Sequence, residues 1–354
     1  MIAFTMIMAY FYDHGKRTSD LKNTMAIKSI YFFMCLPAVI VSSVRYDVGT
    51  DQLMVYQNSF NAVLRGDIIT RNSSVEIERG LIVLFRFLQM FSKKPLIFFV
   101  FSSVVIYPLL FRYIRENEDK IFLPVLFFFI SGLFFTSLNI IRQFMAMSIV
   151  LLGIRYLYRR DLVKYTIFCL MGTFLHLSAI LFLPLYFLYN IHLNRKRAIV
   201  ILLGAAIGGR AVIWLLEFVL SFTRYRYFFG NRLFVVDVDI AGTVYAVIFT
   251  VLAFWRYTRL KRDWKFNFLF WTLLLFDITI IVSYYFPMMN RVSVYFKFFV
   301  FVSLLPRILQ TVSRNNRKVF AALLSVFLSA ATIYMYYYRG IADVFPYQTI
   351  FQMG

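Results

Sequence analysis

Long apolar runs separated by short polar stretches dominate the chain. An α-helix of about 17–25 apolar residues crosses a bilayer hydrocarbon core that is about 30 Å thick. Apolar runs therefore predict membrane-spanning helices, uncertain by a few residues at each end, at 25–44, 95–113, 121–138, 140–158, 198–220, 241–257, 266–286, 292–312 and 318–338. Residues 1–12 are short for a span, and are either a short first helix or part of one that begins upstream.

Two further apolar segments depart from this pattern. Residues 162–190 are apolar throughout but contain His176-Leu177-Ser178 at their centre, and the run is too long for one ordinary helix and short for two. We therefore expect two half-length helices, 162–175 and 177–190, in a hairpin whose ends are covered by protein or by a water-filled cavity. Residues 79–92 place Arg79 and Arg86 among Leu and Phe, which predicts an amphipathic helix at the membrane interface.

The pattern as a whole predicts the fold class. It indicates an all-α polytopic membrane protein with about 11–12 membrane helices, including the hairpin near 162–190. One integral membrane domain would cover residues 1–354, with 61% hydrophobic residues and no room for a large soluble domain. A first extracytoplasmic loop at 45–94 would contain the interfacial helix, and a second would occupy 221–240.

Positive charge is distributed unevenly between the two alternating sets of loops. One set holds 22 Lys and Arg against 7 acidic residues, and comprises 13–24, 112–120, 155–164, 190–197, 256–265 and 307–318. The other holds 11 against 8, and comprises 45–79, 93–94, 221–240, 290–291 and 339–354. Because cytoplasmic loops concentrate Lys and Arg, we expect the first set inside. This rule explains most of the formal net charge of +21, so no nucleic acid partner is expected.

A polar face is predicted at the outer end of the span at 140–158. On a continuous helix Asn139, Arg142 and Gln143 share one face, and Ala146 and Gly153 continue it with small side chains. Small residues allow a headgroup or another helix to approach closely. Arg142 is either an anion-binding residue, whose planar guanidinium matches phosphate oxygens, or an arginine that snorkels to the interface. Both interpretations stay open.

Two further arginine motifs are expected on the outer side. Arg291 and Tyr295 share a helix face, and the same two interpretations apply to them. Arg224 and Arg226 alternate with tyrosines in the second outer loop, an arrangement that suits a sugar phosphate. An ordinary aromatic belt is the slightly favoured alternative there.

Histidine and aspartate supply the remaining candidates. A lone buried histidine is more often a hydrogen-bonded core residue, but the position of His176 between two half-helices favours a function. In the first outer loop Gly49 suits a turn that presents Asp51. No metal site is expected from the scattered histidines, although a metal bound by Asp47 and Asp51 stays an alternative.

Asp277 and Lys297 lie in adjacent antiparallel spans, which predicts a structural or gating ion pair; a proton relay is the minority alternative. Walker loops, nucleophile elbows and dinucleotide fingerprints are missing from the sequence. A nucleotide cofactor is therefore not expected.

The order and spacing of several short motifs suggest a family. They are Arg45…Gly49-Thr50-Asp51…Tyr56, Glu78-Arg79-Gly80, Arg142-Gln143…Ala146, Phe174-Leu175-His176-Leu177-Ser178-Ala179, Arg291…Ser293-Val294-Tyr295-Phe296 with Leu305-Pro306, and Pro346-Tyr347…Phe351. Together they resemble the EpsG family of Wzy-type polysaccharide polymerases along almost the whole chain. The short first segment and the long polar stretch from Arg65 to Glu76 depart from the family pattern.

The resemblance implies a multi-span glycosyltransferase of GT-C-like architecture in the bacterial inner (cytoplasmic) membrane, with its active site on the outer face. The implied substrate is an oligosaccharide repeat unit on undecaprenyl pyrophosphate, in a membrane lipid environment. The growing chain would move from its carrier to the incoming unit, and undecaprenyl pyrophosphate would leave without any cofactor. A chain-length regulator is kept as an open partner.

The candidate residues suit this chemistry. Positive charge is needed where pyrophosphate departs, and Arg142 and Arg291 are the first candidates. The acceptor hydroxyl needs a base or an orienting acceptor, for which Asp51 ranks before His176. The expected substrate-binding residues are Arg45, Asp47, Glu78, Asn139, Gln143, Arg224, Arg226, Arg291, Tyr295 and Tyr347. A flippase or transporter of the same lipid, and another extracytoplasmic transferase such as a ligase or acyltransferase, stay open as alternatives.

Overall fold

The computed structural model describes residues 1–18, 25–67, 78–222 and 240–352, and within these ranges it contains helices and no β-strand. This confirms the all-α prediction. The first nine helices are α1 (Ile2–Thr18), α2 (Met25–Ser43), α3 (Asn58–Arg65), α4 (Arg79–Gln89), α5 (Leu96–Asn117), α6 (Phe122–Ile130), α7 (Leu133–Asn139), α8 (Ile141–Tyr158) and α9 (Leu162–Leu175). The others are α10 (Leu185–Leu188), α11 (Arg195–Ser221), α12 (Ile240–Leu260), α13 (Phe266–Ser283), α14 (Met289–Phe299), α15 (Leu305–Gln310) and α16 (Arg314–Ile333).

Within the described residues, six helices are long and apolar enough to cross a membrane. They are Met25–Ser43, Leu96–Asn117, Ile240–Leu260, Phe266–Ser283, Met289–Gln310 and Arg314–Tyr338. The pair α6 and α7 makes a seventh if it is one span bent by 56°. The sequence predicted more membrane helices than this. Some of the predicted helices are too polar or too short to meet the length and hydropathy expected of a membrane span. One is α8, which carries Arg142 and Gln143, and others are Leu162–Leu175 and Leu177–Leu188.

The described residues divide into two compact units, one within Met1–Tyr186 and Ser325–Gly354 and the other within Phe187–Leu324. In the first unit, α2 packs on α1 and α5, α5 packs on α8, and α8 packs on α9. Small residues bring α8 and α9 together, because a Cβ on Gly172 would lie 3.0 Å from the Ala146 carbonyl oxygen. A Cβ on Gly153 would lie 2.7 Å from Phe168. Two small residues of the predicted face, Ala146 and Gly153, therefore lie against α9. A single integral membrane domain stays a prediction.

Helix breaks are the main departure from the predicted spans in the first unit. The run 121–138 bends at Gly132, whose φ of +81° is left-handed and favours glycine. The Tyr336 hydroxyl donates to the Gly132 carbonyl oxygen at 3.1 Å, and the Thr136 N–H donates to the same oxygen at 2.9 Å as α7 begins. Ile140, with φ −89° and ψ 59°, separates α7 from α8.

The predicted break at His176 is confirmed. His176 has extended backbone angles of φ −153° and ψ 115°, and α9 ends just before it. The second half of the segment begins as a 3₁₀ helix at Leu177–Phe182 and continues as α10, so only the first half is a regular α-helix. The return of this segment to the same side of a membrane stays a prediction.

Residues 79–89 form the expected amphipathic helix, α4. Leu81, Phe85 and Leu88 are buried on one face, whereas Val83 and Phe87 are exposed on the other. An exposed apolar face opposite a packed one suits a helix at a membrane interface. The interfacial position itself stays a prediction.

One expected ion pair in the second unit is wrong. The Asp277 carboxylate accepts a hydrogen bond from Thr250 Oγ1 at 2.6 Å. The Lys297 ammonium instead lies 5.3 Å from the ring centroid of Tyr245, where it is stabilised by a cation–π interaction. At Asp277 a neighbouring hydroxyl thus takes the place of the expected opposite charge.

Candidate functional site

The loop that follows α2 is held in a tight turn. Gln52 closes it by accepting from the Val48 N–H and by donating to the Arg45 carbonyl oxygen, both at 3.0 Å. Gly49 has a φ of +94°, and a Cβ there would lie 3.3 Å from both the Cα and Oδ1 of Asn139. A side chain would therefore meet both backbone strain and a close neighbour, which explains the glycine. Asp47 also has a positive φ and is exposed.

Asn139 fixes this loop from the end of α7. Its Oδ1 accepts from the Asp51 N–H at 3.0 Å and from Thr50 Oγ1 at 3.1 Å. The helix break at Ile140 corrects the expectation that Asn139 shares a helix face with Arg142 and Gln143. Asn139 positions Asp51 instead, while Gln143 lies buried in α8.

Glu78 lies at the centre of a charged cluster with Arg142 and His176. It precedes the first turn of α4, and its extended backbone turns the carboxylate back towards α8 and α9. Its Oε2 accepts a hydrogen bond from Arg142 Nη1, and its Oε1 pairs with His176 Nδ1 at 3.0 Å. The exposed fractions of the side chains are 8% for Glu78, 15% for Arg142 and 21% for His176. Three chain segments thus meet in one largely desolvated site.

The charge of Glu78 determines which nitrogen of His176 carries a hydrogen. Burial raises the pKa of Glu78. The hydrogen bond with His176 and the charge of Arg142 lower it by more than burial raises it, and the resulting pKa is about 2. Glu78 is therefore ionised at neutral pH and can only accept. His176 Nδ1 must then donate to Glu78, and in the neutral tautomer that donates from Nδ1 the other ring nitrogen, Nε2, is the acceptor.

Close packing at Gly80 brings Glu78 to His176. A Cβ on Gly80 would lie 1.9 Å from the carbonyl oxygen of Phe174, near the end of α9. Only glycine allows α4 to approach the α9 backbone so closely. His176 follows Phe174 by two residues, so this contact places the histidine beside the start of α4.

Tyr56 completes the cluster and was not among the residues predicted for the site. Its ring centroid lies 5.7 Å from the Arg142 guanidinium carbon, and its hydroxyl accepts from the Arg142 N–H at 3.4 Å. Burial raises the pKa of Tyr56, Arg142 lowers it, and the nearby charge of Asp51 raises it. Asp51 therefore lies within electrostatic range of the same cluster. The sequence signal was the position of Tyr56 in the first motif, five residues after Asp51.

Arg45 and Tyr347 form a second polar group in the first unit. Arg45 is 1% exposed, and its Nη1 donates to the carbonyl oxygen and Oγ of Ser42. The Tyr347 hydroxyl donates to the Val41 carbonyl oxygen. Residues 44–46 pair with the C-terminal segment through an antiparallel bridge between Arg45 and Thr349. Sequence order alone did not predict this pairing.

The remaining predicted residues belong to the second unit or to the part of the chain that the structure does not describe. Arg291 and Tyr295 are both in α14 of the second unit, where Arg291 is exposed and Tyr295 is fully buried. Arg224 and Arg226 lie outside the described residues. Among the residues that the structure describes, no three His, Cys, Asp or Glu side chains are grouped so that they could hold a metal ion.

Acid unfolding should report the ionised state of Glu78. Its folded pKa of about 2 lies below the ordinary value of 4.5, so its stabilising effect is complete above about pH 4.5 and is lost as the pH falls towards 2. The shift corresponds to a loss on the order of 3 kcal/mol. In detergent, melting temperatures between pH 6 and 2.5 should therefore fall more steeply for the native protein than for Glu78→Gln.

Glu116→Gln is the matched control for that measurement, because Glu116 pairs with Arg112 on an exposed helix turn. Its melting temperature should follow the native pH dependence. Equal slopes for Glu78→Gln and the native protein would contradict the assigned charge state.

The fold and the cluster together define a class of protein. It is a helical, polytopic membrane protein in which breaks between helices bring a glutamate, an arginine and a histidine into one buried site. The sequence profile of the EpsG family matches residues 28–349, nearly the whole chain. The chain therefore belongs to the EpsG family, a Wzy-like polymerase family. No curated protein and no solved structure matches it significantly.

Proposed function

We propose that this protein polymerises oligosaccharide repeat units linked to undecaprenyl pyrophosphate on the outer face of the bacterial inner membrane. A hydroxyl oxygen of the incoming unit attacks the anomeric carbon of the growing chain, and the bond from that carbon to the pyrophosphate oxygen breaks. The bond's electron pair leaves with undecaprenyl pyrophosphate, and the hydroxyl proton passes to the protein. Family membership supports the substrate class.

The observation that carries the proposal is the contact of His176 Nδ1 with Glu78 Oε1 at 3.0 Å. A carboxylate that holds one imidazole nitrogen as a donor makes the other nitrogen a general base. We therefore assign the hydroxyl proton to His176 Nε2. General-base catalysis of this kind contributes about 10²–10⁴-fold to a rate.

This assignment gives Asp51 a different role. On sequence alone Asp51 was the first candidate for the base or orienting acceptor of the sugar hydroxyl. Its backbone is fixed by Asn139, and its carboxylate acts electrostatically on Arg142 and Tyr56. A carboxylate within electrostatic range of Arg142 and Tyr56 suits an acceptor that orients a sugar hydroxyl. We assign proton removal to His176 and orientation of the sugar to Asp51.

Arg142 and Glu78 act on the substrate through their neighbours. The positive charge of Arg142 is neutralised by Glu78, and both carboxylate oxygens of Glu78 are already engaged by protein groups. Neither side chain is then well suited to be the main binding group for the substrate. We assign both to positioning of His176.

Cells that lack this protein and carry a His176→Ala copy should make no long polymer. Their surface glycan should collapse on a gel from a ladder to a single repeat, because one repeat unit still reaches the outer face. His192→Ala is the matched control, since His192 lies exposed in a loop before α11, and its ladder should be normal.

Three outcomes would contradict the proposal. A normal ladder with His176→Ala would remove the assigned base. Accumulation of lipid-linked units on the inner face of the membrane, in cells that lack the protein, would indicate a flippase. An unchanged ladder length with less glycan attached to its final acceptor would indicate a ligase or a different transferase.

A further inference from the structure

Arg45 is a buried cation that pairs with no carboxylate among the residues that the structure describes. Within the part of the chain that the structure describes, its Nε and Nη2 have no hydrogen-bond partner. Only Nη1 is engaged, by the carbonyl oxygen and hydroxyl of Ser42 at 3.0 and 2.7 Å. The guanidinium carbon also lies 5.2 Å from the ring centroid of Phe99. Two strong donors of a nearly fully buried side chain are therefore unpaired among the described residues.

Arg142 provides the contrast. Its guanidinium pairs with Glu78 and lies in the field of Asp51, so its charge is compensated. Burial lowers the pKa of Arg45, and the neighbours that oppose this are the hydroxyls of Tyr107, Tyr347 and Tyr56. Since a guanidinium stays protonated in proteins, a buried one without an opposite charge is costly unless an anion enters.

A C-terminal strap, residues 341–352, pairs with the backbone on both sides of Arg45. The Tyr46 N–H donates to the Gln348 carbonyl oxygen at 3.0 Å, and the Ile350 N–H donates to the Val44 carbonyl oxygen at 2.9 Å. In the same segment, the Tyr347 hydroxyl donates to the Val41 carbonyl oxygen. Apart from the fully buried Val344, the strap places few apolar side chains in the core. A segment held mostly by such hydrogen bonds opens at a low cost in free energy.

We propose that Arg45 binds the pyrophosphate group of the lipid-linked donor, in an occluded site that the C-terminal strap closes. The assignment deepens the proposed function and rests on it. Nε and Nη2 lie on one edge of the planar guanidinium, and this edge matches two oxygens of a phosphoryl group.

This assignment divides the site into two halves. Arg45 stabilises the negative charge that develops on the departing pyrophosphate, whereas Glu78 and Arg142 position the base that acts on the acceptor. An opening strap admits the anionic head group, and strap closure removes it from water. Arg45 replaces Arg142 as the first candidate for the leaving-group site.

Thermal protection of the purified protein in detergent tests the anion site. Undecaprenyl pyrophosphate should raise the melting temperature of the native protein, and undecaprenol should not. In Arg45→Met the apparent affinity for undecaprenyl pyrophosphate should fall about 10–100-fold. Without ligand, Arg45→Met should melt at or above the native temperature, because it removes an uncompensated buried charge. Arg65→Met, at an exposed arginine, is the control and should bind normally.

Inorganic pyrophosphate distinguishes the two sources of the anion. Protection by inorganic pyrophosphate that depends on Arg45 would support a site for the phosphoryl group itself, and protection by the lipid alone would support a site that also requires the polyprenyl chain. Equal protection of Arg45→Met and the native protein would overturn the proposal. Protection by undecaprenol as strong as that by the pyrophosphate lipid would do the same.

Tyr347→Phe tests the strap. Loss of the Tyr347 hydrogen bond should raise the association rate of undecaprenyl pyrophosphate several-fold, whereas Tyr338→Phe, at an exposed tyrosine, should not change it. An unchanged rate for Tyr347→Phe would contradict closure by the strap. If undecaprenyl pyrophosphate binds through Arg45 but the native protein forms no polymer, the proposed function is wrong and the Arg45 site is supported. If the native protein forms polymer but Arg45→Met binds undecaprenyl pyrophosphate normally, the proposed function is supported and the Arg45 site is wrong.

Discussion

Replacement of Glu78 by alanine is expected to destabilise the protein by about 3–5 kcal/mol and to abolish polymer formation. The substitution leaves Arg142 largely buried without its carboxylate, and breaking one side of a buried ion pair has a cost of this size. It also frees His176 Nδ1, so the histidine loses its fixed orientation and tautomer. Chemical unfolding in detergent and the length of the glycan ladder measure the two effects.

A double-mutant cycle shows whether the effect comes from the pair. Arg142→Met combined with Glu78→Ala should be less destabilised than the sum of the single variants, since the unpaired charge is removed. Glu116→Ala is the matched control, because its ion pair with Arg112 is partly exposed and should contribute no more than about 1 kcal/mol. Strict additivity of Glu78→Ala and Arg142→Met would contradict the buried pair.

Alanine at Gly80 should be the second most damaging change. The new Cβ would lie 1.9 Å from the Phe174 carbonyl oxygen, so α4 must move away from the end of α9. Overpacking of this kind costs on the order of 1–3 kcal/mol. Movement of α4 also separates Glu78 from His176, and a misplaced catalytic group lowers a rate by roughly 100-fold. The expected result is a small loss of stability with a large loss of polymer.

Gly204→Ala is the control for that comparison. Gly204 lies in α11, and a Cβ there would have no atom within 4 Å. Alanine in an open helical position should therefore stabilise the protein by about 0.5–1 kcal/mol and leave polymer length unchanged. Normal polymer in Gly80→Ala would mean that α4 does not position the site.

The helical class and most spans were predictable because apolar runs of sufficient length have few alternatives in a bilayer. The break at His176 was also predictable, from a polar tripeptide in the middle of an apolar segment that fits neither one span nor two. The breaks at Gly132 and Ile140 were not. A single glycine in an apolar run gives no sign of its φ, and Ile140 carries no break signal at all.

The candidate site was predicted as a set of residues but not as an arrangement. Glu78 is separated from Arg142 by 64 positions and from His176 by 98, so nothing local shows that they meet. Their chemistry singled them out, because ionisable side chains are rare in apolar surroundings. On sequence alone Arg142 and Arg291 ranked first as anion-binding residues and Arg45 ranked below them. We propose the higher rank for Arg45 because Arg142 pairs with the Glu78 carboxylate.

Reconstitution tests the central claim most directly. Purified protein in liposomes receives one synthetic repeat unit on undecaprenyl pyrophosphate, with no nucleotide, and the glycan products are separated by length. The account predicts a ladder of several repeats and release of undecaprenyl pyrophosphate in proportion to the bonds formed, with neither product from His176→Ala. Recovery of only the single repeat with native protein, or equal ladders from native protein and His176→Ala, would contradict it.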